Sequence, residues 1–166
     1  MEPDLAEYRD LIERFYRLMR RSRRMALVEA GDDAWTLQEM VAHLVDSASN
    51  NHQRFVRLQL ADRLEFPAYD AEEWRRASRA KTASYRDLVA LYLLYNRYIL
   101  HLVAWLDRDC LGNRWLSPDG DRTLAFLVED YFAHQRWHLE LFERRIAEIR
   151  ALKKVRGGGK RARENA

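Results

Sequence analysis

The chain has 166 residues, enough for one domain with a substantial core, and apolar residues make up 48% of it. Six glycines and three prolines are few, which favours helices over a turn-rich β fold. The net charge of +3 comes from 29 basic and 26 acidic residues that are finely mixed, a pattern typical of a solvated surface rather than a nucleic-acid-binding face.

The cysteine content and the apolar stretches indicate the cellular location of the protein. The single cysteine, Cys110, excludes an internal disulfide bond and fits a reducing compartment, so a cytoplasmic location is expected. Residues 2–5 are acidic, which is unlike a signal peptide. Residues 88–106 are apolar but contain Arg97, so we expect a core helix there and no membrane span.

Four long segments have the apolar periodicity of amphipathic helices. With a short fifth helix, they are predicted at about residues 4–28, 36–63, 71–77, 82–106 and 124–152. Thr36 and Glu39 have the spacing of a capping box at the start of the second long helix. Four long helices predict an all-α four-helix bundle, in which sites are built from side chains that face one another.

Two segments are predicted to lie outside the helices. Residues 107–122 contain Gly112-Asn113 and Ser117-Pro118-Asp119-Gly120 and are expected to form a loop. Residues 153–166 are basic, contain three consecutive glycines and have no apolar periodicity, so a disordered tail is predicted after a single domain at residues 1–152.

A pair of histidines in the fourth long helix suggests a metal site. His134 and His138 are four residues apart, which places them roughly 40° apart on one face of a helix. Such a pair can offer two imidazole nitrogens to one ion, although an ordinary core role is the alternative. A catalytic zinc-type site usually has three protein ligands, so the third is expected from another helix. His43, at the edge of the buried stripe of the second helix, is the best candidate.

The other histidines and the neighbouring acids receive lesser roles. His52 lies roughly 180° around the helix from His43, and His101 lies on the outer flank of the third long helix, so both are expected at the surface or its boundary. Asp46 and Asp130 are the candidate catalytic acids, since they lie three and four residues from the proposed ligands. Either could also orient an imidazole, and a solvated or ion-paired role is the alternative.

Two motifs resemble those of the DinB/YfiT-like superfamily. Residues 35–47, WTLQEMVAHLVDS, are similar to its W-t-x-x-e-l-x-x-H-l-x-d segment. The GDRTL sequence at 120–124, followed by HQRWH at 134–138, resembles its G-x-x-T-l … H-x-x-x-H element. The resemblance covers about residues 4–150. It implies an up-down-down-up bundle, a homodimer, and a divalent metal ion, nickel or zinc, held by His43, His134 and His138.

The resemblance also implies a class of chemistry. Characterised members of the superfamily include transferases and isomerases that use low-molecular-weight thiols such as bacillithiol or mycothiol. A thiol S-transferase is therefore the first hypothesis and a metal-dependent hydrolase the second. The alternative outside enzymology is a metal-binding stress-response or ligand-binding protein. Nucleic-acid binding through Arg20–Arg24 and the basic tail is not favoured, because the chain carries no recognised nucleic-acid motif.

Overall fold

The computed structural model describes the backbone of residues 4–31 and 34–164, and side chains as far as residue 154. Most of this backbone is helical, and three very short strands lie among the loops. The α-helices are α1 (Leu5–Arg21), α2 (Leu37–Arg57), α3 (Ala71–Ala77), α4 (Tyr85–Ala104) and α5 (Leu124–Glu164). The strands are β1 (Arg63–Leu64), β2 (Arg114–Trp115) and β3 (Arg122–Thr123).

Contacts made by α1 set the direction of two of its neighbours. Tyr8 stacks on Phe132, and Phe15, two turns later, meets Phe142 edge-on, so α1 and α5 run parallel. Phe15 also meets Tyr92, whereas Tyr85 at the start of α4 donates to the carbonyl of Met19 near the end of α1. α1 and α4 are therefore antiparallel.

Contacts made by α2 complete the topology. Gln38 at its start donates to the carbonyls of Ala80 and Ala83 just before α4, and His52 near its end lies 3.0 Å from the Tyr95 hydroxyl, so α2 and α4 run parallel. Arg145 donates to the carbonyl of Trp35, so the later part of α5 meets the start of α2. The four long helices are arranged up-down-down-up, which confirms the predicted bundle.

Buried polar groups join α4 to α5 in the core. The Tyr92 hydroxyl donates to Gln135 Oε1 at 3.1 Å, and the Tyr131 hydroxyl donates to Asn96 Oδ1 at 2.6 Å. Burial raises the pKa of both tyrosines, so they stay neutral donors. Because buried polar groups are costly without partners, these bonds favour one rotation of α5. The same rotation sets the direction of His134 and His138.

The start of α2 is fixed by the capping box that the sequence predicts. The Thr36 hydroxyl accepts from the Glu39 amide at 3.2 Å, and the Glu39 carboxylate accepts from the Thr36 amide at 2.8 Å. Glu39 also forms an ion pair with Arg75 of α3, and Arg75 in turn pairs with Glu72. These bonds hold α3 against the first turn of α2.

Several predicted boundaries differ from the observed ones. The first helix ends at Arg21 rather than near residue 28, because Ser22 bonds back to Leu18 and a 3-10 turn follows. The second ends at Arg57 rather than near residue 63, where β1 begins. Residues 107–122 were predicted to be a loop throughout, but they contain β2, which pairs parallel to β1 and antiparallel to β3.

Two further predictions concern the C-terminal segment and membrane-spanning helices. α5 continues to Glu164, through residues 153–164, for which the sequence predicts a disordered tail. Within the described residues, no helix combines the length and the apolar character that a bilayer crossing requires.

Candidate metal centre

The three histidines singled out in the sequence meet between α2 and α5. His43 Nε2 lies 3.3 Å from His134 Nε2, which lies 3.0 Å from His138 Nε2. One nitrogen from each ring falls within 4.8 Å of the other two. The rings are inclined to one another by 49° to 78°, so they converge rather than stack.

The spacing of these nitrogens suits one small divalent cation. With metal–nitrogen bonds of about 2.1 Å, two ligand nitrogens are roughly 3.0 Å apart at octahedral angles and roughly 3.4 Å apart at tetrahedral angles. The two short nitrogen–nitrogen distances match that range. The donor set, three imidazoles from two helices, is one that zinc and nickel accept. The residues therefore fit a metal, and their binding of one stays a prediction.

The electrostatics of the cluster keep the imidazoles neutral. Burial, with repulsion from His134, lowers the pKa of His43 to about 4. Burial, with repulsion from both other rings, lowers the pKa of His138 to about 2. Burial also lowers the pKa of His134, and the nearby charge of Asp130 partly opposes that change. Neutral rings have lone pairs free for a cation at physiological pH.

One nitrogen of the cluster is unusual. His138 Nδ1 is buried and has no hydrogen-bond partner among the described residues. In metal sites the second ring nitrogen usually donates to a carbonyl, carboxylate or water. The Trp137 indole packs edge-on against the ring, with centroids 4.5 Å apart, and covers it from one side.

An open cavity of about 410 Å³ borders the histidines. Its wall is mostly apolar, with one cationic side chain. Besides the three histidines, the lining comprises Ala34, Trp35, Met40, Ala71, Trp137, Leu141 and Arg145. The guanidinium of Arg145 is engaged by the carbonyl of Trp35 and by Glu148, so it serves to fix this wall. A small organic molecule would fit beside the cluster.

Comparison with known proteins identifies the fold. No family model matches the chain. Over 105 residues it is 30% identical to proteins of Bacillus cereus (strain AH820) and Bacillus anthracis, each named "putative metal-dependent hydrolase". These matches cover 63% of this chain, which thus spans 60% of the relatives' own length.

The structural comparison is more extensive. YfiT from Bacillus subtilis superposes on the chain with a TM-score of 0.73, covering 95% of this chain and 90% of YfiT at 20% sequence identity. The chain has the DinB/YfiT-like fold. YfiT is described as "a probable metal-dependent hydrolase with an unusual four-helix bundle topology". The resemblance seen in the sequence is thereby confirmed at the level of the fold.

The two candidate acids occupy different environments in this YfiT-like bundle. Asp46 is half-buried, and burial raises the pKa of its carboxyl to about 6. Asp130 is exposed, and its charge acts on His134 without a hydrogen bond between the two. Asp46 is not among the residues that line the cavity, so its raised pKa is the only feature that suggests a proton acceptor, and Asp130 is limited to an electrostatic effect.

The remaining histidines and the cysteine lie outside the cluster. His52 is partly buried and contacts the rings of Tyr95 and Tyr98, and His101 is exposed, so their predicted surface or boundary positions are confirmed. The thiol of Cys110 faces the carbonyl of Gln59 at 3.8 Å and is not among the clustered ligand atoms.

Tyr69 is a site residue that the sequence analysis missed. It lies in the irregular connection before α3, where no periodicity indicates which side chains point inward. Its ring centroid is 6.3 Å from that of His43, and burial, partly offset by a hydrogen bond with Ser47, raises the pKa of its hydroxyl. A neutral phenol thus borders the cluster as a potential donor.

Proposed function

We propose that this YfiT-like protein is a metal-dependent hydrolase whose divalent ion, zinc or nickel, is held by His43, His134 and His138. The observation that carries the proposal is the convergence of three neutral imidazoles beside an open cavity. Among the described residues no fourth histidine, cysteine or carboxylate joins this group, so the ion would keep positions for water and substrate. The names of the Bacillus relatives agree with this reaction class.

The residues around the cluster would have separate roles in hydrolysis. A bound divalent ion lowers the pKa of a coordinated water toward about 7 and polarises a substrate carbonyl. Asp46 would accept a proton, since its pKa of about 6 leaves the carboxylate ionised at neutral pH. The indoles of Trp35 and Trp137 would hold the apolar part of the substrate and exclude water. Tyr69 would donate a hydrogen bond to an oxygen of the substrate.

A thiol S-transferase is the second candidate, and the charge of the site is compatible with it. Three neutral ligands leave both positive charges of a divalent ion uncompensated, which stabilises a thiolate as well as a hydroxide. The mostly apolar cavity wall would accept an electrophile with a hydrocarbon body. A low-molecular-weight thiol would then replace water as the nucleophile.

Metal content is the first test. Untagged protein analysed by mass spectrometry should contain close to one zinc or nickel ion per chain. His134→Ala should weaken binding of added zinc by at least about 100-fold, because a direct ligand contributes more than the supporting groups around one. His52→Ala is the matched control, since this partly buried histidine of α2 lies outside the cluster. Equal affinity of the two variants would contradict the site.

Turnover is the second test. The metal-loaded protein is assayed with a panel of esters and amides, and then with thiols plus an alkylating electrophile. Hydrolysis that is lost in His134→Ala supports the hydrolase, and thiol-dependent product with no hydrolysis supports the transferase. Stoichiometric metal with no turnover of either kind would contradict both and favour a binding protein.

A further inference from the structure

Arg54 of α2 is a buried cation that nothing in the proposed chemistry uses. Only 6% of the residue is exposed. Its guanidinium lies 3.9 Å from the ring centroid of Trp115 and 5.9 Å from that of Phe66. The Trp115 indole is itself fixed, since its Nε1 donates to the carbonyl of Phe66 at 2.7 Å. The aromatic contacts hold one face of the guanidinium and leave its edge for hydrogen bonds.

Among the described residues, Arg54 has one long hydrogen bond and one buried nitrogen without a partner. Arg54 Nη1 donates to Asn51 Oδ1 at a long 3.4 Å, and Nε is buried without a partner among the described residues. No described carboxylate lies within ion-pair distance of it. Removing a guanidinium from water is costly when its donors and charge are not matched, so such an arrangement calls for an anionic partner.

Arg54 and the histidine cluster lie along one side of α2. Their spacing follows the helical repeat, and each residue of the stripe is almost fully buried. The stripe consists of His43, Ser47, Asn50 and Arg54. The ends of the stripe are about 16 Å apart along the helix axis, and the long arginine side chain leans back toward the N-terminal end.

Two further residues connect the ends of the stripe. The ring of Tyr69 contacts that of His43. Burial lowers the pKa of Arg54, Tyr69 and Asp130 oppose that change electrostatically, and the positive charge of Arg122 adds to it. Asp130 acts electrostatically on both Arg54 and His134. The buried stripe and the Tyr69–His43 ring contact therefore place the guanidinium on the same side of α2 as His43.

We propose that Arg54 binds a carboxylate of the substrate while the bond to be cleaved lies at the histidine cluster. The planar fork of a guanidinium matches the two oxygens of a carboxylate, and its stacking on Trp115 pre-orients that fork. The substrate class is thus an ester or amide with a carboxylate on the order of 10 Å from the reacting carbonyl. This assignment of the reacting end rests on the proposed hydrolase function, whereas carboxylate binding by Arg54 does not.

Binding is measured first, by calorimetric titration of the purified protein with suberate at constant ionic strength. Saturable binding is expected, with affinity reduced about 10- to 100-fold in Arg54→Met, since charge-assisted hydrogen bonds are lost. Arg57→Met is the matched control, because Arg57 is on the same helix and also lies over Phe66, but is exposed. Arg54→Lys keeps the charge without the fork and should also bind weakly, which serves if the methionine variant does not fold.

Turnover then tests the position of the carboxylate. The 4-nitrophenyl monoester of suberic acid is compared with the octanoate ester of equal chain length. Arg54→Met should raise KM for the suberate ester about 10- to 100-fold and leave the octanoate ester unchanged. Suberate binding without hydrolysis of either ester would refute the hydrolase and keep the anion site. Equal suberate affinity in wild type, Arg54→Met and Arg57→Met, or tighter binding of inorganic phosphate, would overturn the assignment to Arg54 and a carboxylate.

Discussion

Replacing Glu39 by glutamine should destabilise the protein, because the Glu39 carboxylate joins the first turn of α2 to Arg75 of α3. The carboxylate is only 2% exposed, accepts from the amide and hydroxyl of Thr36 at 2.8 and 2.9 Å, and pairs with Arg75. Burial alone would raise the pKa of Glu39, but the hydrogen bonds from Thr36 and Arg75 outweigh burial and lower it. Glu39→Gln removes the negative charge that pairs with Arg75, and it turns the amide group of glutamine toward the N–H and O–H donors of Thr36.

The magnitude follows from these contacts. Breaking a buried ion pair costs about 3–5 kcal/mol, and the lower figure applies here because Arg75 is partly exposed and keeps Glu72. For a domain of this size, about 3 kcal/mol corresponds to a fall in Tm of roughly 6–12 °C. Since the Glu39 pKa is lowered, its stabilisation is present above the ordinary value of 4.5 and lost as the pH falls below it.

The assay is thermal unfolding followed by circular dichroism at pH 7.5 and again at pH 4. Glu72→Gln is the control, because Glu72 also accepts from Arg75 but is exposed, and it should change Tm little. The difference in Tm between wild type and Glu39→Gln should be smaller at pH 4 than at pH 7.5. A Tm for Glu39→Gln within 2 °C of wild type, or an equal fall in both variants, would refute the reasoning.

Three further predictions concern acid stability, catalysis and assembly. The metal-free protein should lose stability as the pH falls from 6.5 toward 4, because His43 and His138 bind protons in the unfolded chain but stay neutral in the folded protein. Asp46 has the opposite effect on stability below about pH 6, because burial raises its pKa in the folded protein. A Tm that rises on acidification would contradict this prediction. Asp46→Asn should lower kcat about 100-fold or more, because it removes the proton acceptor. It should not lower Tm at pH 8, because it also removes a half-buried charge. Unchanged kcat, measured with an ester from the panel, would exclude Asp46 as the base. Leu94 on the outer face of α4 is 63% exposed, and Trp105, directly after that helix, is 76% exposed, so the homodimer implied by the family resemblance should use this face. Ultracentrifugation should show a dimer that Leu94→Glu separates, and a monomeric wild type would refute this prediction.

The helices and one face of the site could be predicted from the sequence because their signals are local. The capping box at Thr36 and Glu39 needs only a spacing of three residues, and it forms as predicted. The inward direction of His134 and His138 follows from helical periodicity, and the structure directs both toward His43. The position of His43 on its helix made it the best candidate for the third ligand, and the family resemblance implied the same residue, since periodicity identifies a buried face but not the helix that covers it.

What could not be predicted depends on irregular segments and long-range packing. Tyr69 and Trp115 lie in connections whose conformation is set by the bundle beneath them, so the sequence gives no sign that they face His43 and Arg54. Arg54 lies in the part of α2 that the family resemblance covers, but the resemblance assigns no role to it. Its burial is apparent only from the structure, in which β2 places Trp115 against its guanidinium. The early end of α1 at Arg21, where the Ser22 hydroxyl donates to the Leu18 carbonyl, has no sequence signal that we identified.

X-ray absorption at the metal edge of the zinc- or nickel-loaded protein tests the central claim most directly, because it counts the ligands around the ion. We predict three imidazole nitrogens at about 2.0–2.1 Å together with oxygen ligands from solvent, and two imidazoles in His43→Ala. A sulfur ligand, or an imidazole count that does not change in His43→Ala, would contradict the account.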